Sequence, residues 1–129
     1  MGDIRPIIEA YSKGRKMVMV AHPGCGYCHR AFENMSAKVR TFLKTNGTII
    51  TPIRRNSMGE DLQRVDRWNQ NQPFYHHKVF SDAQLPGPIV LNSYPQFYFF
   101  KNGKKVHHST GWAGDNSHNR VLEKIIANF

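Results

Sequence analysis

The first half of the chain alternates between helix-like and strand-like patterns of hydrophobic residues. Apolar side chains over residues 4–11 recur at the spacing of an amphipathic helix, and residues 12–14 end it. The short apolar run 17–21 is typical of a strand buried on both faces. A helical stripe then predicts a helix from about Gly26 to Thr45, and β-branched residues over 48–53 predict a second strand.

The second half follows a different order. Residues 59–71 are polar with a thin apolar stripe, which predicts a third helix, whereas 72–93 have no clear period and are expected to be mostly irregular. A hairpin over 96–109 is predicted from two strand-like runs joined by an Asn-Gly turn. The stripe of Val121, Leu122, Ile125, Ile126 and Phe129 predicts a C-terminal helix.

The order of these elements predicts an α/β fold. Alternating helices and strands favour a parallel βαβ unit, and the hairpin adds antiparallel strands to the same sheet. Because no repeat is visible, residues 1–129 are expected to form a single domain. The protein is also expected to be a monomer.

Composition narrows the class of protein. Apolar residues make up 40% and charged residues 21%, which is ordinary globular usage. Eighteen Lys and Arg against nine Asp and Glu give a net charge of +9, which favours acidic partners. No apolar run approaches the ~20 residues of a membrane span, and charges in the first twenty residues interrupt any signal-peptide core. The cytoplasm is therefore the default location, and an exported mature chain is the alternative.

The chain contains two cysteines, Cys25 and Cys28, directly after a predicted strand and at the start of a predicted helix. The first sulfur should lie beside free amide groups at the positive end of the helix dipole, which favours thiolate over thiol. The second should lie one turn further in. This arrangement supports thiol–disulfide exchange, in which Cys25 attacks a disulfide and Cys28 resolves the mixed intermediate.

Three other interpretations of the pair remain. A zinc half-site would need two more ligands, for which His76 and His77 are the candidates. A structural disulfide would close only a very small loop and so constrain the unfolded chain little. Two incidental buried thiols would have no chemical role. Redox chemistry is favoured over all three, with no metal and no organic cofactor expected.

Two segments together resemble the thioredoxin superfamily. The segment from His22 to His29, His-Pro-Gly-Cys-Gly-Tyr-Cys-His, resembles its active site and is similar to that of bacterial periplasmic disulfide isomerases. The segment from Tyr94 to Lys105 resembles the thioredoxin and protein disulfide isomerase region that begins with a cis-proline, and Gly111 follows where those families also have a glycine.

The resemblance implies a thioredoxin fold: a central mixed sheet of four to five strands flanked by helices, with an insertion before the cis-proline strand. It implies that Pro95 is cis and that the backbone of Tyr94 pairs with a bound substrate strand; an ordinary proline at the start of a strand is the alternative. Gly26 and Tyr27, between the cysteines, are further candidates for substrate contact. The insertion, within 57–92, is expected to cap the sheet edge rather than to shape a substrate surface.

The sequence also departs from that pattern. Gly24 stands where many thioredoxins have a tryptophan, and Met19 stands where they have a buried carboxylate that accepts the resolving thiol's proton. The missing carboxylate, together with Tyr27 and His29 around the thiols, favours an oxidant or isomerase over a reductase, and the direction stays open. His29 is a candidate cation that stabilises a thiolate, or simply a helix residue facing solvent.

A binding module is the rival function. Lysines and arginines could form a stripe for nucleic-acid phosphates or for an acidic protein. They lie at Arg30, Lys38, Arg40, Lys44, Arg54, Arg55, Lys101, Lys104 and Lys105. Because these charges are scattered and mixed with acids, protein substrates with cysteines and a separate thiol or disulfide electron partner are the favoured partners.

Overall fold

The computed structural model describes residues 4–85 and 88–129. Its helices are α1 (Arg5–Ser12), α2 (Gly26–Asn34), α3 (Ala37–Asn46), α4 (Met58–Asn71) and α5 (His118–Asn128), and a 3-10 turn (Arg55–Ser57) precedes α4. Its strands are β1 (Arg15–Val20), β2 (Gly47–Ile53), β3 (His76–Phe80), β4 (Gln96–Lys101) and β5 (Lys104–Thr110).

The five strands form one mixed sheet in the order β3-β2-β1-β4-β5. Strands β3, β2 and β1 run parallel, and β4 and β5 are antiparallel to their neighbours. The predicted Asn102-Gly103 turn joins β4 to β5, and both residues have positive φ, at 50° and 83°, as a tight hairpin turn of this kind requires.

Successive side chains of each strand point to opposite faces of the sheet. The strands β1, β2 and β4 are buried on both faces, whereas β5 at one edge is mostly exposed. Met17 and Met19 of β1 pack on one face with residues of α2, α3 and α5. Val18 and Val20 pack on the other face with residues of α1 and of the segment before β4. The apolar run predicted as a buried strand is therefore at the centre of the fold, and it ends beside the cysteine pair.

Residues 26–45 do not form the single helix that the sequence predicts. The helix breaks at Met35, whose backbone is extended, and Ser36 starts α3 by accepting a hydrogen bond from the Val39 amide at 3.4 Å. The break is held from α5: the Asn119 side chain accepts from the Ser36 amide and donates to the Asn34 carbonyl, both at 2.9 Å. A tertiary contact thus overrides a continuous helical pattern.

Most of the described residues within 72–93 lie outside helices and strands, as expected, but His76–Phe80 form β3 at the edge of the sheet, which the sequence does not predict. Strand β3 pairs in parallel with β2, and the Asn69 side chain bonds both the amide and the carbonyl of His76. The predicted apolar stripe of α5 is wrong at Val121, which is 47% exposed.

The ring of His76 is fully buried on β3. It stacks on Trp68 with the ring centroids 4.2 Å apart, and its Nε2 lies 2.8 Å from the Gln72 side-chain oxygen, whereas its Nδ1 has no hydrogen-bond partner. Burial, and then the nearby His77, lower the pKa of His76 from 6.5 to about 4. The folded protein therefore holds this ring in its neutral form at physiological pH.

We predict that stability falls with acidification through His76. In the unfolded chain the ring takes up a proton near pH 6.5, but in the folded protein only near pH 4, so its contribution is complete above pH 7 and is lost between pH 6.5 and 4. The expected loss is about 2 kcal/mol between pH 7.5 and 5. Urea unfolding at a series of pH values measures it.

The matched variants are His76→Phe and His107→Phe, the latter on the exposed face of β5. The pKa values of other histidines are lowered as well, so the informative quantity is the difference in pH dependence between the variants. His76→Phe should flatten the pH dependence and His107→Phe should leave it unchanged. Equal pH dependence in wild type and His76→Phe would contradict the assignment.

Candidate active site

Cys25 lies at the junction between β1 and α2, where it is the N-cap residue of α2. Its Sγ accepts a hydrogen bond from the Cys28 amide at 3.3 Å, and its thiol donates to the Tyr94 carbonyl oxygen at 3.7 Å. The side chain is half-buried, so a reactant can reach the sulfur. Amide donation at the start of a helix is favourable to negative charge on this atom.

Cys28 lies one turn into α2 and is fully buried. It packs in the same apolar cluster as Met19, Phe32 and Phe97, and the two cysteines are not bonded to each other. Burial raises the pKa of the Cys28 thiol, and the contact with Cys25 raises it further. The pair is thus unequal: one sulfur is accessible and hydrogen-bonded, and the other is shielded and protonated.

The segment before β4 faces the cysteines from the opposite side. The Tyr94–Pro95 peptide bond is cis. Pro95 is buried, Tyr94 is partly exposed, and the Pro95 carbonyl accepts a hydrogen bond from the Gly111 amide at 2.8 Å. The two sequence segments that carry the resemblance therefore meet in space, with the Tyr94 carbonyl directed at the Cys25 sulfur.

His22 is the residue that joins these parts, and its role is not visible in the sequence. Its carbonyl accepts from the Cys25 amide at 3.0 Å, and its ring Nδ1 accepts from the Gly24 amide at 3.0 Å. The ring also stacks on Tyr94, with centroids 5.5 Å apart. Burial lowers the pKa of His22, although Asp61 acts against this shift. A neutral ring is the form that can accept the Gly24 hydrogen bond.

Asp61 is the second residue that sequence reasoning missed. It is fully buried in the first turn of α4, 3.7 Å from Nε2 of His22. Arg54 donates to it from the backbone amide and from two guanidinium nitrogens, at 2.9 to 3.0 Å. These bonds lower the pKa of Asp61. Met19, where a thioredoxin would have its carboxylate, is fully buried among apolar groups, so the charge near this site comes from α4 instead.

The remaining predicted residues lie around the same helix start. Tyr27 is 58% exposed and Gly26 is exposed beside it, so both face solvent next to Cys25. The ring of His29 does not point to the cysteines: its Nε2 is 2.6 Å from the Pro23 carbonyl oxygen, and it packs 5.2 Å from Trp68. In this position it holds the turn that precedes Cys25.

Several of the basic residues that suggested a binding module make contacts within the protein itself. Arg55 pairs with Asp82 at 2.7 Å, Arg30 donates to the Gly114 carbonyl, and Arg40 donates to the Phe32 and Met35 carbonyls. Within residues 4–85 and 88–129, no group of three or more metal-ligating side chains comes together. Over the same residues, no helix has both the length and the apolar character to cross a bilayer.

No family model matches the sequence, and a comparison with curated proteins gives no match. Comparison with solved structures gives several matches. A proposed thiol:disulfide interchange protein DsbE from Chlorobium tepidum matches with a TM-score of 0.59 at 14% identity, covering 90% of this chain and 81% of its own. A secreted Mycobacterium tuberculosis disulfide oxidoreductase homologous to E. coli DsbE matches with a TM-score of 0.55 at 15% identity, covering 94% and 85%.

A DsbF homologue from Corynebacterium diphtheriae matches with a TM-score of 0.53 at 16% identity, covering 95% of this chain and 76% of its own. At such low identity the likeness establishes the fold and not the activity. The protein therefore has a thioredoxin fold.

Proposed function

We propose that the protein is a thiol–disulfide oxidoreductase that exchanges disulfides with cysteine-containing protein substrates through Cys25 and Cys28. The observation that carries the proposal is the unequal environment of the two sulfurs. Cys25 is accessible and accepts an amide hydrogen bond, whereas Cys28 is fully buried one turn away. Structural neighbours that are thiol–disulfide oxidoreductases support the same class of reaction.

In the reducing direction, the Cys25 thiolate attacks one sulfur of a substrate disulfide. The substrate S–S bond breaks, a mixed disulfide forms, and the departing sulfur takes up a proton. Cys28 then loses its proton to solvent and attacks the Cys25 sulfur, which releases the second substrate thiol. The protein has lost two electrons, the substrate has gained two, and a Cys25–Cys28 disulfide remains. Oxidation of a substrate dithiol is the reverse sequence.

The net direction depends on the relative stability of the dithiol and disulfide forms, for which 30 mV corresponds to ~1.4 kcal/mol. A thiol or disulfide electron partner must restore the starting form after each cycle. We also propose that the protein acts outside the cytoplasm as a monomer. The secreted Mycobacterium tuberculosis neighbour supports the exported location, whereas the cytoplasmic default has no support among these similarities.

The roles of the two cysteines predict different effects when each is replaced by serine. Cys25→Ser should abolish reduction of insulin disulfides, because the attacking sulfur is missing. Cys28→Ser should accumulate mixed disulfides with substrates, because nothing resolves them. Insulin turbidity and non-reducing mass spectrometry measure the two outcomes. Full activity in both variants would refute the proposal, and trapping by Cys25→Ser alone would reverse the roles.

The His22 ring supports the proposed reaction by holding the turn that presents Cys25. Its Nδ1 accepts the Gly24 amide, and an asparagine at this position carries a carbonyl oxygen at an equivalent place that can bond the amide two residues on. We therefore treat His22 as a positioning residue. His22→Leu removes the acceptor, and His22→Asn retains it.

We predict that His22→Leu lowers kcat/KM for disulfide reduction by about tenfold, which corresponds to ~1.4 kcal/mol and to the loss of one part-buried hydrogen bond. His22→Asn should recover most of that loss. Stopped-flow kinetics of the reduced variants with a disulfide substrate measure the effect, and urea unfolding separates it from stability. Equal rates for the two variants at equal stability would show that the Gly24 hydrogen bond has no part in presenting Cys25.

A further inference from the structure

A cleft of about 500 Å³ lies directly beside the turn that precedes Cys25. We call it the Arg64 cleft. Pro23, Gly24 and His29 line it on the side of the cysteines, and Arg64, Arg67 and Trp68 line it on the side of α4. Since Gly24 is bonded to Cys25, the cleft adjoins the segment that carries the accessible sulfur.

Gly24 allows a cation to approach the turn. A Cβ atom at this position would lie 3.2 Å from Nη1 of Arg64 and 3.1 Å from Nδ1 of His22, both tighter than ordinary contact. The missing side chain thus leaves room for the Arg64 guanidinium next to the cysteine segment. The cleft therefore presents the positive charge of Arg64 next to the indole of Trp68.

Acidic side chains on α4 neutralise little of the positive charge that Arg64 and Arg67 give to the cleft. Arg64 pairs with Glu60 at 2.7 Å, but both side chains are solvent-exposed, and such pairs exchange readily with other partners. Asp66 pairs with Lys78, away from the cleft. Arg67 is exposed and makes no ion pair with any residue in 4–85 or 88–129.

We propose that the Arg64 cleft selects protein substrates with acidic residues next to the reactive cysteine. This inference rests on the proposed function and adds a substrate class to it. The Arg64 cleft presents two guanidinium groups near the attacking sulfur. Carboxylates are their complement, because they bind arginine with charge-assisted hydrogen bonds. The overall charge of +9 favours approach of the same substrates from a distance.

The experiment uses three disulfide-containing peptides that differ only in the residues flanking the cysteines: Glu, Gln or Lys. The second-order rate constant for reaction with the reduced protein is measured for each peptide by separating its oxidised and reduced forms, at low and high salt. We expect the Glu peptide to react about tenfold faster than the Lys peptide at low salt, and the ratio to shrink as salt screens the charges.

Matched variants separate the cleft from the net charge. Arg64→Gln/Arg67→Gln should reduce the ratio between the Glu and Lys peptides to about two, whereas Lys38→Gln/Lys44→Gln on the exposed face of α3 removes the same charge and should keep it. Asn71→Lys, which adds a cation to the cleft lining, should increase the ratio.

The outcomes distinguish the two proposals. Equal rates with all three peptides would overturn the substrate class and leave the thiol–disulfide activity standing. An equal loss in the two double variants would assign the preference to net charge and overturn the role of the cleft. Failure of the wild-type protein to react with any peptide would overturn the proposed function, and the substrate class with it.

Discussion

The candidate site depends on one interaction, the hydrogen bond from the Cys28 amide to the Cys25 sulfur at the start of α2. It makes a cysteine the N-cap of a helix, a position where oxygen-bearing side chains are usual, so the sulfur occupies a place suited to negative charge. The same turn of helix carries Cys28 into the apolar core. A single local structure therefore produces one accessible sulfur and one shielded sulfur.

The surrounding fold holds this junction in position. Strand β1 is at the centre of the sheet and is buried on both faces, so its end is a rigid point from which the turn begins. His22 then connects the turn to Tyr94 on the opposite segment, and Asp61, which is paired with Arg54, lies 3.7 Å from Nε2 on the far side of the ring. The buried carboxylate near this site thus comes from α4 rather than from β1, where Met19 continues the apolar packing.

The segment between β2 and β4 has two consequences for the protein. Through α4 and β3 it completes the sheet edge and contributes Trp68 and Phe74 to the core. Through Arg64 and Arg67 the same helix lines the cleft beside Cys25. One face of α4 therefore packs against the core, and its exposed face carries the positive charge from which we infer a substrate preference.

The sequence by itself determined the strands β1, β2, β4 and β5, the hairpin turn and the cysteine pair, because each is encoded by a local pattern of apolar, turn-forming or thiol residues. Only the tertiary structure decided the break at Met35, since Asn119 from α5 bonds the exposed backbone groups there. It also decided β3, because this strand forms by pairing with β2, which lies much earlier in the chain. In the same way, only the fold brings His22, Asp61 and Tyr94 together. These contacts join residues distant in sequence, and no local period records them.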